Sequence, residues 1–165
     1  MRVGDVEAGM LRLLVGDIER FWPEIERTIT VAISNAGYNS PDTMANIYKA
    51  LLSGRLQCWV CATGDLETRK STTHAMILTE VALADFTLVP ELFIYALANI
   101  SDEPVSSRVW LYWANQLADF GRSHGCKYLT GITRDPSIAS FLRRYYGAEA
   151  IWTYAHIPIG SKENG

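Results

Sequence analysis

The stretch from Leu88 to Ile159 constrains the fold more than any other, and at its centre lies a helix with an aromatic stripe. Trp110, Trp113, Leu117 and Phe120 recur at steps of three and four, so they share one helical face. Val109, Ala114 and Ala118 widen that stripe, while Asn115, Asp119 and Arg122 fall on the water side. The surrounding pattern predicts a strand (Leu88–Ile100), a polar loop (Ser101–Ser107) and the helix itself (Arg108–His124). A strand (Tyr128–Thr133), a short helix (Ser137–Tyr146) and a strand pair (Glu149–Ile159) follow. A strand, a crossover helix and a second strand of these lengths form a βαβ unit, which sets two strands parallel. Such a unit opens a crevice at the carboxyl end of its strands, beside the helix N-terminus, where ligands commonly bind.

Upstream, Leu11–Val15 reads as a first strand. Asp17 suits the cap of a short turn, and Pro23 with Glu24 suits the opening of the main helix. Ile25, Ile29, Ala32, Ile33 and Ala36 line one face of it, and Gly37 closes it. Ser40-Pro41-Asp42 is a second helix start, followed by Met44, Ile47, Tyr48, Leu51 and Leu52 at helical spacing. Strands are expected at Leu56–Thr63 and His74–Ala84, joined by a polar hairpin loop at Gly64–Lys70. Pro90 cannot donate to a ladder, so it must sit at the edge or on a bulge of its strand. No internal repeat, low-complexity segment or linker interrupts the 165 residues, which fit one domain.

Composition narrows the partners. A net charge of −3 without a Lys/Arg run argues against nucleic acid or an anionic membrane as main partner. Apolar runs such as Leu92–Leu97 are far too short to span a bilayer, and the acidic start Met1–Glu7 is unlike a secretory signal. These features predict a soluble protein of the cytoplasm. Three cysteines do not make a disulfide framework. Cys58 and Cys61 form a C-x-x-C, but on a strand residues three apart point to opposite faces, which spoils a zinc corner or a redox pair. No metal site is expected.

The order of elements resembles the GCN5-related N-acetyltransferase (GNAT) fold, most closely along Gly125–Glu149, where the strand and turn GCKYLTGITRDPS lead to Phe141-Leu-Arg-Arg-Tyr-Tyr-Gly-Ala-Glu149. The resemblance implies an α/β (α+β) domain over residues 1–165: a mixed, mostly antiparallel twisted sheet flanked by helices, in the order β1-α1-α2-β2-β3-β4-α3-β5-α4-β6-β7. It also implies that acetyl-CoA lays its pyrophosphate on backbone N–H groups at the N-terminus of the central helix, through a loop of the form Q/R-x-x-G-x-G/A.

Here that loop is Asn99–Val109, which has no glycine. Pro104 removes a donor, and Asp102 and Glu103 add negative charge where phosphates would sit. Ser106, Ser107 and Arg108 remain as candidate cofactor contacts, although Ser106 or Ser107 equally suits a helix cap. The family's tyrosine acid aligns with Arg143, which leaves Tyr145 as the candidate proton donor, against a reading in which Phe141, Leu142 and Tyr145 pack inward. Glu91, at the start of the strand before the loop, is the candidate general base, with Glu80 on the neighbouring strand as another.

Two readings follow. In the first, the chain resembles the acetyltransferase-like proteins of tailed bacteriophages: a GNAT fold with a degenerate acetyl-CoA site, needing no cofactor and serving in a virion or in assembly through a protein partner. Segments Leu51–Val60 and Phe141–Glu149 carry that resemblance, and five Trp and eight Tyr favour interfaces. In the second, it is an acetyl-CoA-dependent N-acetyltransferase with an atypical pyrophosphate loop.

Overall fold

The chain runs β1 (Arg2–Val3), β2 (Val6–Arg12), α1 (Val15–Asn35), α2 (Thr43–Leu52), β3 (Leu56–Asp65), β4 (Lys70–Leu83), β5 (Pro90–Asn99), α3 (Ser107–Ser123) and β6 (Tyr128–Gly131). This is a computed structural model, and it describes residues 2–3, 6–35, 42–65, 70–84, 88–131, 140, 143–145 and 147. The chain divides into two units, Met1–Gly131 and Ile132–Gly165. In the second, Ser140 and Arg143–Tyr145 are helical, and the Gly147 N–H donates to the Arg143 carbonyl at 3.2 Å. The rest of the expected helix Ser137–Tyr146 and the expected strands Glu149–Ile159 lie outside the described residues.

The six strands form one sheet in sequence order, antiparallel except for the β5–β6 pair, which is parallel as the βαβ pattern requires. Helices cover both faces. Ile18, Ile25, Ile29 and Ile33 of α1 and Ile47, Ala50 and Leu51 of α2 pack on Leu56, Cys58, Met76 and Leu78. On the other face Val109, Trp113 and Leu117 of α3 pack on Trp59, Cys61, Ala75, Ile77 and Leu92. Of the α3 stripe, Trp113 and Leu117 are buried as the spacing predicts, and Trp110 and Phe120 are half-buried beside them. Cys58 and Cys61 fall in different layers, as the alternation of a strand demands.

Three boundaries differ from the pattern-based ones. The strand expected at Leu11–Val15 is β2, five residues earlier at its start, and it pairs Ala8–Arg12 with Trp59–Thr63. The small Ala8 and Gly9 lower its local strand propensity, and it is the fit under α3 that places them there. The first turn and the main helix are one element, because α1 begins at Val15 and carries Pro23 inside it. The Asp17 carboxylate accepts from the Leu14 N–H at 3.0 Å, half of a capping box, so the helix is closed at its start well before Pro23. Pro23 and Glu19, whose carbonyl loses its helical donor, are both exposed, so water can serve that carbonyl. Third, β4 begins at Lys70 rather than His74. Pro90 stands at the first position of β5, where its missing donor costs nothing to the ladder. Gly54, at φ +74°, ends α2 by turning its N–H onto the Leu51 carbonyl.

Candidate functional site

Helix α3 runs back along β5. A Cβ on Gly121, near its C-terminus, would lie 3.4 Å from Leu92 Cβ at the start of β5, so the helix begins toward the far end of the strand. Ser106 is the N-cap, with extended backbone and a side-chain oxygen accepting from the Val109 N–H at 3.4 Å. This is the capping use of Ser. The next two N–H groups, of Ser107 and Arg108, have no partner within a helix by geometry, and both residues are exposed.

The loop ahead of the helix spends half of its backbone donors locally. The His74 carbonyl accepts from Ile100 N–H at 2.8 Å and from Ser101 N–H at 3.5 Å, and Ser101 Oγ accepts from Glu103 N–H at 3.0 Å. Pro104 has none to give. Asp102 and Glu103 are exposed. His74 itself is buried on a bulge of β4, since Cys61 pairs with Ala75 and Ala62 with Thr73. Its Nε2 lies 2.7 Å from Thr63 Oγ1, and its Nδ1 has no hydrogen-bond partner among the described residues.

Glu91 is at the opposite end of the strand. It pairs with Ala82 and Tyr128, and its carboxylate is near enough to Cys126, at the C-terminal end of α3, to add to the burial that raises that thiol. At ~3.3 Å per residue, β5 puts some 25 Å between Glu91 and Asn99. Glu91 and the Ser106–Arg108 corner are therefore not brought together. The strand before the loop is long, so Glu91 sits beside the C-terminal end of α3. Tyr145 belongs to the second unit, with the Arg144 guanidinium 5.5 Å from its ring centroid.

A feature that the sequence pattern hides lies midway along β5. Leu78 pairs with Ala96 and Thr79 with Ile94, so Tyr95 is an extra, bulged residue. Among the described residues the pairing of β5 with β6 runs as far as Ile94 with Gly131. From Tyr95 to Asn99, β5 has β4 as its only strand neighbour among the described residues. On the α2 side, Tyr95 lines a depression of about 150 Å³ with Thr43, Asn46, Ile47, Arg55, Leu56 and Glu80. Arg55 Nε lies 3.7 Å from Glu80 Oε1. Thus the bulge lies beside a small polar depression. Tyr95, Arg55 and Asn46 carry no local motif. In the apolar run Leu92–Leu97 nothing marks which residue is the extra one.

The buried thiols are chemically quiet. Burial pushes Cys58 up to about 12, and burial with the neighbouring Cys58 does the same for Cys61. Among the described residues no group of three His, Cys, Asp or Glu side chains could hold a metal ion. No described helix is long and apolar enough to cross a membrane.

No protein-family model matches the sequence, and no curated protein matches it. Solved structures do match in three dimensions. A ribosomal-protein-alanine N-acetyltransferase from Brucella melitensis superimposes with a TM-score of 0.61 at 15% identity, covering 93% of this chain and 100% of that one. The fold is that of the GNAT acetyltransferases. An aminoglycoside acetyltransferase from an uncultured soil metagenomic sample, in complex with sisomicin, gives 0.59 at 16% identity over 93% of this chain and 97% of its own. An aminoglycoside N-acetyltransferase in complex with CoA gives 0.61 at 9% identity over 96% and 98%. These identities establish shared architecture; activity has to be argued from the site.

Proposed function

We propose that this GNAT-fold chain is an acyl-CoA-dependent N-acyltransferase with an atypical pyrophosphate loop. The observation that carries the reading is the bulge at Tyr95, which lines a depression holding the Glu80 carboxylate. The backbone edge of Tyr95–Asn99, which no described strand pairs on the side away from β4, suits the amide groups of a pantetheine arm, which can bond like an added strand. The N–H groups of Ser107 and Arg108, the hydroxyls of Ser106 and Ser107, and the Arg108 guanidinium would hold the phosphates at the positive end of α3. The coenzyme supplies an activated thioester. Glu80 is the base in this reading, because it lines the depression, which Glu91, two positions along β5 from Glu80's partner Phe93, does not. Glu80 takes one proton from the acceptor ammonium, directly or through water, and leaves a neutral amine to attack.

Calorimetric titration with acetyl-CoA tests this. The expected result is a micromolar affinity that falls about tenfold or more in Arg108→Ala, the loss of a charge-assisted contact. No heat at millimolar ligand would sink the reading.

One observation favours the other function. Backbone donors of the loop are consumed by His74 and Ser101, and Asp102 and Glu103 repel phosphate. A chain that no longer uses coenzyme A would serve as a scaffold for protein contacts, of which a bacteriophage virion or assembly role is one form.

A further inference from the structure

The depression at Tyr95 also speaks to the chemistry of the acceptor, provided that the acyltransferase reading holds. We infer that it receives a small zwitterionic amine of the α-amino acid class, in which Glu80 takes the ammonium and Arg55 the carboxylate.

Charge balance is the first reason. Among the described lining residues, Glu80 and Arg55 are the ionic groups, one of each sign, 3.7 Å apart. A polycationic acceptor such as an aminoglycoside needs several carboxylates, and the single one here is already offset by a guanidinium. A simple amine would leave Arg55 facing its own positive charge. A zwitterion satisfies both. The second reason is how loosely the two residues hold each other. Their side chains are 66% and 28% exposed, and at this distance an exposed pair is worth little, about 0–1 kcal/mol. A ligand carboxylate could draw Arg55 away into a bidentate contact at small cost, and the ammonium would then take its place beside Glu80. Size is the third reason. About 150 Å³ is well below the roughly 300–1,000 Å³ of sites for drug-sized ligands, so one small residue fits and a trisaccharide does not. Ile47 and Leu56 give the floor an apolar patch for a short aliphatic side chain, and Thr43, Asn46 and Tyr95 add hydrogen-bonding groups at the rim.

The transfer then balances. The ammonium gives one proton to Glu80; the amine nitrogen bonds to the thioester carbonyl carbon; the carbon–sulfur bond breaks. The thiolate takes the second proton from that nitrogen, leaving free thiol and an N-acyl amino acid that is neutral at its amide and anionic at its carboxylate. The product keeps its carboxylate and has lost its ammonium, so it no longer matches Glu80 and is released.

An NMR titration of the ¹⁵N-labelled full chain, with and without coenzyme A, tests the acceptor separately from the donor. L-valine should shift the backbone amides of Asn46, Leu56, Glu80 and Tyr95. Valinamide, which lacks the carboxylate, and sisomicin should each bind about tenfold more weakly or worse. In Arg55→Ala the preference for valine over valinamide should shrink to about threefold or less, and Arg55→Lys should retain part of it. Both changes are at an exposed position, and an unchanged spectrum elsewhere checks the fold. Equal or tighter binding of valinamide or sisomicin would overturn the inference, as would the absence of valine shifts at these amides in both states. If valine shifts them but acetyl-CoA gives no heat, the zwitterion site stands and the acyltransferase reading fails. If acetyl-CoA binds but valine does not, the reverse holds.

Discussion

The indole N–H of Trp113 donates to the carbonyl oxygen of Gly9 at 2.9 Å, which ties the largest fully buried side chain to a strand 104 residues earlier in the chain. The bond fixes α3 over the first long strand.

Trp113→Ala should therefore cost about 3–5 kcal/mol, because the cavity cannot be refilled by neighbours held in the sheet. Trp113→Phe should cost less, since it keeps most of the volume and loses the hydrogen bond. Urea denaturation of both measures this. A loss below about 1 kcal/mol for the alanine variant would contradict the packing.

A second buried network spans β3 and β4. Trp59 Nε1 donates to Thr79 Oγ1 at 2.9 Å, and that hydroxyl donates onward to Gln57 Oε1 at 3.1 Å. Thr79 is 0% exposed. Thr79→Val keeps the shape and strands the indole N–H, at a cost of about 1–3 kcal/mol, while Thr79→Ser should retain most of the stability. Equal losses in the two variants, read from thermal or chemical unfolding, would count against the network.

The thiols of Cys58 and Cys61 set a pH dependence. Each is raised from 9.0 to about 12 in the folded chain. The folded state keeps protons that the unfolded state releases, so their contribution is fully present below pH 9 and is lost as pH rises toward 12. Urea midpoints measured from neutral pH upward should fall more steeply above pH 9 in the wild type than in a Cys58→Ala, Cys61→Ala variant. Parallel slopes would show that burial does not hold these thiols protonated.

The loop ahead of α3 gives a gain-of-affinity test. Pro104→Gly combined with Asp102→Asn and Glu103→Gln restores one backbone donor and removes two charges. On the proposed function it should tighten acetyl-CoA by about tenfold or more. Calorimetry that finds no change would place the coenzyme elsewhere.

The α3 stripe was legible because helical periodicity is a local property: Trp113 and Leu117 face the sheet wherever the helix docks. The opposed cysteines were legible for the same reason, since alternation follows from strand geometry alone. Ser106 could be named as a cap or as a ligand from sequence, and its bond to the Val109 N–H shows the cap. Where Glu91 lies relative to α3 was not legible, because the direction of the helix against β5 is not a local property. Gly121 lying against Leu92 puts Glu91 at the C-terminal end of the helix.

The amino-acid pattern by itself determined the order of elements from α1 to β6, the parallel crossover through α3 and the faces that its side chains bury. Each of these follows from spacing along a short stretch of chain. Tertiary structure alone decided the rest. It made a strand of Val6–Arg12 in spite of Glu7, Ala8 and Gly9, because Trp59–Thr63 and Trp113 needed a neighbour there. It carried α1 through Pro23, because the stripe from Ile18 to Ile33 is buried on both sides of that residue. It chose Tyr95 as the bulge and gathered Arg55, Glu80 and Asn46 around it. Register between strands is set by the packing of both faces at once, so no local reading of Leu92–Leu97 contains it.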